Sequence, residues 1–118
     1  MTRLRCAVVG AGYLGRFHAQ KYAALADCDL VGVADPLPEA RERLKSELGV
    51  AGVAQHGELL GRVDLVSIAT PTALHHAVAR DFLAAGAHVL VEKPITATAD
   101  QARELIGPQV ELMLDCWM

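Results

Sequence analysis

A glycine-rich turn near the start of the chain has the spacing of a phosphate-binding loop. Its residues are Gly10, Ala11, Gly12, Tyr13, Leu14 and Gly15. The turn follows an apolar run and precedes a segment with helical spacing, which is the context that such a loop requires. Gly10 would allow a tight turn, Gly12 would let the backbone approach a pyrophosphate, and Gly15 would let the helix pack closely. The helix N-terminus would then attract the phosphates through its N–H groups and its partial positive charge.

An aspartate at the end of the second apolar run could complete this site. Asp35 lies 20 residues after Gly15, where a carboxylate can accept hydrogen bonds from the ribose hydroxyls of adenosine. The same charge would repel a ribose phosphate, so the pattern favours NAD over NADP. Three alternatives remain: a glycine-rich turn without a ligand, a turn that merely starts at Asp35 and Pro36, and a methyltransferase, since those enzymes also combine a glycine-rich loop with an acid.

A lysine follows an apolar run in the second half of the chain. Residues 89–91 lead directly into Glu92, Lys93 and Pro94. Ligands of open α/β sheets bind beyond the carboxyl ends of the strands, and a lysine there can hydrogen-bond a substrate oxygen whose charge changes as hydride moves. Pro94 would end the strand because it has no N–H to donate. Glu92 could orient the backbone or the cofactor, or it could be a structural hydrogen-bonding acid.

The elements that would position these residues alternate along the chain. Apolar runs are separated by segments in which apolar residues recur at helical spacing. The predicted strands are Cys6–Val9, Leu30–Ala34, Val50–Gln55, Leu65–Ala69, His88–Val91 and Glu111–Leu114. Apolar strands joined by amphipathic helices predict a parallel sheet that is covered on both faces. The expected fold class is α/β, a doubly wound parallel sheet of the Rossmann type that binds NAD(P).

Helical patterns follow the strands. The apolar positions expected to share helix faces are Leu14, His18, Tyr22 and Leu25, then Ala40, Leu44 and Leu48, then Leu74, Ala77, Val78, Phe82 and Ala85, and last Ala102, Leu105 and Ile106. Pro38 and Gly49 should bound the second helix, whereas Thr72 and Gly86 should cap the third. His18 is interpreted as a histidine of the core, because its helix face is apolar.

The bulk composition argues against several classes of protein. The chain has 118 residues, 53% of them hydrophobic, which suits one globular domain over residues 1–118. The net charge of −3 does not indicate a nucleic-acid surface, and no apolar run is long enough to span a membrane. Cys6, Cys28 and Cys116 are too widely spaced for a zinc or disulfide-exchange motif. With no apolar leader at its start, the sequence predicts a cytoplasmic protein without a metal site, a nucleic-acid partner or a membrane anchor.

Short motifs in the second half of the chain resemble those of a known family. They are Thr70-Pro71 followed by His75, Gly86 with His88-Val89, and Glu92-Lys93-Pro94. Together with the glycine loop, these motifs make residues 3 to about 106 resemble the Gfo/Idh/MocA oxidoreductases. The resemblance implies NAD(P)-dependent hydride transfer at a hydroxyl group of a sugar, a nucleotide sugar or an inositol. The stretch from Gly10 to Leu25 is similar to a subgroup that acts on UDP-N-acetylglucosamine.

The resemblance also implies roles for individual residues. Those expected on the nicotinamide side of the cofactor are Thr70, Pro71 and His75, with Glu92, Lys93 and Pro94 beside them. Lys93 would be the catalytic residue. Similar enzymes continue into a second α/β domain, which closes the substrate pocket and usually forms a homo-oligomer. We expect that substrate domain to be absent from this chain, which would then be the cofactor-binding half.

Residues 107–118 depart from the family pattern, and we interpret them as an atypical tail that contains the last strand. Asp115 weakly resembles a metal ligand of enolase-superfamily sugar-acid dehydratases, but a single carboxylate cannot make a magnesium site. Two classes of function therefore remain open. The chain could belong to an NAD-dependent sugar oxidoreductase, or it could be a nucleotide-binding module without catalytic activity of its own.

Overall fold

The structure, a computed structural model, describes residues 4–91. The strands are β1 (Leu4–Val9), β2 (Cys28–Ala34), β3 (Gly52–Val53), β4 (Leu65–Ile68) and β5 (His88–Val91). The helices are α1 (Tyr13–Ala24), α2 (Pro38–Leu48) and α3 (Thr72–Ala84), with a short 3₁₀ helix at His56–Leu59. None of the helices within residues 4–91 is both long and apolar enough to cross a membrane.

Every strand and helix that the sequence predicts within the described residues is present. β3 is shorter than the predicted strand Val50–Gln55, and β1 and β2 begin two residues earlier than predicted. The predicted helix that includes Ala102 and the predicted strand Glu111–Leu114 lie outside the described residues.

The described strands form one parallel sheet in the order β3-β2-β1-β4-β5. Their carboxyl ends are level, since Val9 pairs with Ala34 of β2 and with Ile68 of β4, and Ile68 pairs with Val91 of β5. The chain runs outward from β1 in one direction to β3 and then in the other direction to β5. This reversal of strand order opens a crevice at the carboxyl ends of β1 and β4, where α/β proteins bind ligands. The predicted doubly wound parallel sheet is confirmed.

Both faces of the sheet are covered, as the uninterrupted apolar strands predicted. Side chains alternate along β1, so Cys6 and Val8 pack on one face while Ala7 and Val9 pack on the other. The first face is covered by Ala19 and Tyr22 of α1 and by Ala40 and Leu44 of α2, and the second by Val78, Ala79 and Phe82 of α3. The sheet therefore lies between two helical layers, and its carboxyl edge is free to form a site.

The buried face of α3 differs from the predicted one. Val78 and Phe82 are buried as expected, but Leu74 is 49% exposed. The other two predicted members of that face, Ala77 and Ala85, are also exposed. His75 and Ala79 are buried in their place. Small apolar residues occur on all sides of this helix, so their spacing alone could not determine which side would pack on the sheet.

The predicted face of α1 is also only partly correct. Tyr22 is buried, and its hydroxyl group shares a hydrogen bond with the hydroxyl group of Ser67 in β4. Leu14 is 47% exposed, and Leu25 is 51% exposed and lies beyond the end of the helix. His18 is half-buried at the edge of the helix face and does not lie fully in the core.

The ends of the helices follow their local sequence closely. Pro38 is the first residue of α2, and Gly49 ends that helix in the left-handed conformation with φ of 70°. Thr72 was predicted to cap α3, but it is the first helical residue and Pro71 occupies the cap position. Gly86 was likewise predicted to be the C-cap, but Ala85 is the C-cap and Gly86 follows it with φ of 88°.

Candidate cofactor-binding site

A cavity of about 710 Å³ opens at the carboxyl edge of the sheet. The last residues of β1 and β2, Val9 and Ala34, line it together with loop residues that follow β1 to β4, namely Gly10, Gly12, Asp35, Pro36, Leu37, Ala54, Gln55, Ala69, Thr70 and Pro71. His56 and Gly57 of the 3₁₀ helix and Leu74, Val78 and Asp81 of α3 complete the wall. The volume lies within the range of small-molecule sites, and the position is the one at which open α/β sheets bind ligands.

Gly10 makes the turn after β1 possible. Its φ is 98°, a conformation that side chains with a Cβ rarely adopt. A Cβ at this position would also lie 2.7 Å from the carbonyl oxygen of Ala69 at the end of β4. The backbone N–H of Gly10 donates to the carbonyl oxygen of Ala34 at 2.7 Å. The loop is therefore held between the ends of β2 and β4, at the reversal of strand order.

Gly12 and Gly15 have different surroundings. A Cβ on Gly12 would have no heavy atom within 4 Å, so the backbone here borders open space in the cavity. Gly12 is also the N-cap of α1 and provides no side-chain cap, which leaves the helix N-terminus open to an anion. A Cβ on Gly15 would overlap the carbonyl oxygen of Gly10 and lie 3.5 Å from Cγ1 of Val8. Close packing of α1 against β1 therefore depends on Gly15.

Asp35 connects the glycine loop to the end of β2. Its carboxylate is almost buried, with the residue 9% exposed, and it accepts the backbone N–H of Ala11 at 2.7 Å and of Leu37 at 2.8 Å. Ala11 itself is 1% exposed. Each carboxylate oxygen has a second lone pair, so Asp35 can hold the loop and still accept a hydrogen bond from a ribose hydroxyl.

Tyr13 and Leu14, the remaining residues of the predicted loop, both belong to α1. Tyr13 is the first residue of α1. Leu14 follows it on the exposed side of the helix and is not among the cavity-lining residues of the described chain.

Thr70, Pro71 and His75 cluster where β4 leads into α3, but they contribute in different ways. Thr70 and Pro71 line the cavity. Oγ1 of Thr70 is buried and has no hydrogen-bond partner among the described residues, and such a group is normally satisfied in a complete site. His75 is 2% exposed, and its Nε2 lies 3.0 Å from the carbonyl oxygen of Thr70. Within residues 4–91 the cavity wall does not include His75, and its ring contacts the backbone of Thr70, which does line the cavity.

His56 and Asp81 belong to the cavity wall, although the sequence did not indicate them. Nε2 of His56 lies 2.8 Å from Oδ2 of Asp81, and the His56 ring packs against the ring of Phe82 with 5.8 Å between centroids. The two residues are 25 positions apart and meet because the 3₁₀ helix packs near α3. The only local signal is the capping box of Gln55 and Glu58, which predicts a helical start at His56.

The electrostatics of the cavity depend on the backbone. The described lining residues include the carboxylates of Asp35 and Asp81 but no lysine or arginine. The positive end of α1 is therefore the main attraction that this wall offers to an anion. Within residues 4–91, no cluster of three or more histidine, cysteine, aspartate or glutamate side chains could hold a metal ion.

The predicted Glu92, Lys93 and Pro94 lie outside the described residues. The strand that precedes them ends at Val91, which pairs with Ile68 at the end of β4. The chain therefore leaves the described sheet at its carboxyl edge, beside the strand that leads to Thr70.

Comparison with known proteins agrees with this geometry. Residues 4–111 match the family model Gfo/Idh/MocA, described as an oxidoreductase family with an NAD-binding Rossmann fold. The chain is 46% identical over 107 residues to UDP-N-acetylglucosamine 3-dehydrogenase of Acidithiobacillus ferrooxidans, which covers 91% of the chain and 34% of that protein. It is 35% identical over 106 residues to D-glucoside 3-dehydrogenase of Escherichia coli K12, which covers 86% of the chain and 30% of that protein. The chain thus spans about a third of the length of these relatives.

Solved structures show the same architecture. The structure of the Acidithiobacillus ferrooxidans enzyme, GnnA, superposes with a TM-score of 0.83 over 91% of the chain and 35% of GnnA. GenD2 from gentamicin A biosynthesis, in complex with NAD, superposes with a TM-score of 0.86 at 35% identity, covering 92% of the chain and 32% of GenD2.

Proposed function

Because this chain belongs to the Gfo/Idh/MocA oxidoreductase family, we propose that it is the cofactor-binding part of an NAD-dependent dehydrogenase. The enzyme would transfer hydride between the nicotinamide ring and a hydroxyl or keto carbon of a sugar or nucleotide sugar. The observation that supports this most directly is the cavity at the carboxyl edge, where an uncapped helix N-terminus and a nearly buried Asp35 border the same space.

The residues of the cavity suit a dinucleotide. The space beside Gly12 would admit the pyrophosphate to the N-terminus of α1, and the spare acceptor capacity of Asp35 would bind the adenosine ribose. Thr70 Oγ1, which lacks a partner among the described residues, would find one on the cofactor. Bound NAD would supply the hydride acceptor. The described residues would bind and orient it, with His75 holding the Thr70 backbone in place.

We further propose a preference for NAD over NADP. A ribose 2′-phosphate would have to lie beside the Asp35 carboxylate, and the described cavity wall contains no lysine or arginine to neutralise it. Like charges at close range in a partly buried site repel strongly. The ribose 2′-hydroxyl of NAD would instead donate to the same carboxylate.

Lys93 is the proposed catalytic residue. It follows the last residue of β5 by two positions in the sequence, and β5 ends at the edge of the sheet that contains the cavity. Its ammonium group would donate a hydrogen bond to the substrate oxygen and exchange a proton with it during hydride transfer. The relatives that act on UDP-N-acetylglucosamine and on D-glucosides, named for dehydrogenation at position 3, support a nucleotide-linked or glycosidic hexose as the substrate.

The first experiment is a calorimetric titration of the 118-residue chain with NADH and with NADPH. We expect NADH to bind and NADPH to bind at least roughly tenfold more weakly, a difference of about 1.4 kcal/mol. If neither dinucleotide bound, the proposal would be wrong. Equal affinities would overturn only the proposed preference for NAD. NADH binding with little or no turnover on sugars is expected of the isolated chain under both readings, the cofactor-binding part of an enzyme and the nucleotide-binding module.

A second experiment tests Lys93. In a protein that joins this chain to a substrate domain of the size found in its relatives, Lys93→Met should lower kcat by about 10²- to 10⁴-fold, the usual contribution of general acid–base catalysis. The affinity for NADH should stay within about twofold of the original, because the lysine acts on the substrate oxygen. An unchanged kcat would remove Lys93 from the catalytic role.

A further inference from the structure

Arg41 lies behind the part of the cavity wall that Asp35 forms. Its Nη1 donates to the backbone carbonyl oxygen of Asp35 at 2.7 Å, although Arg41 itself is not among the cavity-lining residues. The aliphatic stem of Arg41 rests on Gly52 of β3, where an added Cβ would lie 2.8 Å from the Arg41 Cβ. The glycine therefore leaves room for the arginine, and the arginine fixes the loop from which the Asp35 carboxylate projects.

The guanidinium group of Arg41 has donors to spare. Arginine has five N–H donors, and one of them is used on the Asp35 carbonyl. Within residues 4–91 no carboxylate forms an ion pair with Arg41. A positive charge that has no carboxylate partner within residues 4–91 thus lies behind a cavity wall whose described residues include no arginine or lysine.

We propose that Arg41 is a specificity-determining residue for the dinucleotide, a proposal that depends on the cofactor site described above. Through the Asp35 carbonyl, Arg41 positions the carboxylate that selects NAD. Once that carboxylate is neutral, Arg41 is the cation that a ribose 2′-phosphate reaches, because a guanidinium group binds phosphate oxygens with paired hydrogen bonds. The choice between NAD and NADP therefore depends on two residues, one that repels the 2′-phosphate and one that can bind it.

A double-mutant cycle on the 118-residue chain tests this. Asp35→Asn should raise the affinity for NADPH at least roughly tenfold, because it removes the repulsion and exposes the phosphate to Arg41. Adding Arg41→Met should abolish most of that gain and weaken NADPH by a larger factor than NADH, because only NADPH carries the 2′-phosphate that the guanidinium group would bind. A merely structural role for Arg41 would weaken both dinucleotides alike.

Arg43 provides a matched control for charge. It is exposed on α2 two positions after Arg41, so the two side chains point to different sides of the helix. Asp35→Asn combined with Arg43→Met removes the same total charge and should keep the gain in NADPH affinity. Equal NADPH affinities of the two double variants would overturn the proposal.

The outcomes separate this inference from the proposed function. If the unmodified chain binds NADH but the two double variants do not differ, only the role of Arg41 is wrong. If the unmodified chain binds neither dinucleotide, both proposals are wrong. Thermal melting of each variant checks that it is folded, and Asp35→Ser replaces Asp35→Asn in the same cycle if the asparagine variant does not fold.

Discussion

An aspartate lies at the amino ends of the strands, which we call the amino edge of the sheet, and another lies at their carboxyl ends, the carboxyl edge. The two aspartates have different partners. At the amino edge, Nη2 and Nε of Arg5 donate to the two carboxylate oxygens of Asp64 at 3.0 and 3.3 Å. The backbone N–H of Arg5 also donates to Asp64 Oδ2 at 2.9 Å. The N–H of His88 in β5 donates to the Asp64 carbonyl oxygen, so three strands meet at this residue. The charge of Asp64 is neutralised within the fold.

At the carboxyl edge, the corresponding groups are only partly satisfied. Asp35 accepts two backbone N–H groups and has no cationic side chain on its carboxylate among the described residues. α1 begins at Gly12 without a side-chain cap, and Thr70 Oγ1 has no partner within the described part of the chain. The amino edge thus closes the sheet, whereas the carboxyl edge leaves donors and acceptors for a ligand. Substitutions at the two edges should therefore separate binding from stability.

A substitution that fills space at the carboxyl edge should have the largest effect on NADH affinity. Gly12→Ala adds a Cβ where no atom lies within 4 Å, at a backbone φ of −75° that alanine tolerates. We expect the free energy of unfolding to fall by at most about 1 kcal/mol. The affinity for NADH should fall at least roughly tenfold, because the methyl group would occupy the space that we propose for the pyrophosphate. Calorimetric titration and urea denaturation measure the two quantities.

Gly15→Ala is the matched comparison for that experiment. Its Cβ would overlap the Gly10 carbonyl oxygen, so α1 must move away from β1. Unfolding free energy should fall by about 1–3 kcal/mol, as for other overpacked sites, and NADH binding should weaken as a consequence. A Gly12→Ala chain that binds NADH as tightly as the original would contradict the assignment of the open space to the pyrophosphate.

Removing the ion pair between Arg5 and Asp64 at the amino edge should lower the stability of the fold and leave NADH affinity unchanged. The hydrogen bonds from the side chain and backbone of Arg5 hold the pKa of Asp64 below its ordinary value of 3.8. A carboxylate whose pKa is lowered by folding stabilises the fold above its unfolded pKa, and this contribution is lost as the pH falls through the folded pKa. Asp64→Asn should therefore lower the urea midpoint at neutral pH and flatten its decrease below about pH 4.

The effect of Asp64→Asn should be small and sensitive to salt, because the ion pair is exposed. NADH affinity at neutral pH should stay within about twofold, since Asp64 lies at the opposite edge from the cavity. Asp27→Asn, which changes another exposed aspartate before β2, serves as the control and should leave the urea midpoint unchanged. A loss of NADH affinity in Asp64→Asn would show that the two edges are coupled.

The strands could be predicted from the sequence because a strand covered on both faces must be apolar throughout. Helix faces could be predicted only where the contrast was strong. In α2, Ala40 and Leu44 stand among charged neighbours, and both are buried as expected. In α3, apolar residues occur all round the helix, so packing against β4 and β5 decided the face and buried His75.

The cavity-lining residues can also be divided into those that the sequence predicted and those that it did not. The glycine loop and Asp35 depend on local backbone geometry, which can be predicted from the residue types and their spacing. His56 and Asp81 act through a contact between two distant elements, for which the sequence contains no local pattern. The hydrogen bond that Asp35 accepts from the backbone N–H of Ala11 likewise depends on how β1 and β2 pair, so the sequence could predict an acid at the end of β2 but not that this acid would hold the glycine loop.

The smallest expected effect is that of NADH on the chemical modification of Cys6, which lies in β1 near the amino edge. Burial, followed by the neighbouring Cys28 thiol, raises the pKa of Cys6 from 9.0 to about 12. Its thiolate fraction at neutral pH is therefore far below that of an ordinary thiol, and only the thiolate reacts. Iodoacetamide at pH 8 should modify Cys6 slowly in the folded chain and rapidly in urea, and NADH should not change the folded rate.

Mass spectrometry of the peptide that contains Cys6 measures this rate, and a Cys6→Ala chain confirms which adduct belongs to it. If the two edges are independent, a ligand at the carboxyl edge leaves the amino half of β1 undisturbed. Protection of Cys6 by NADH would contradict that independence. Rapid modification without NADH would show instead that the amino edge opens locally, since a thiol that is 0% exposed can react only through opening.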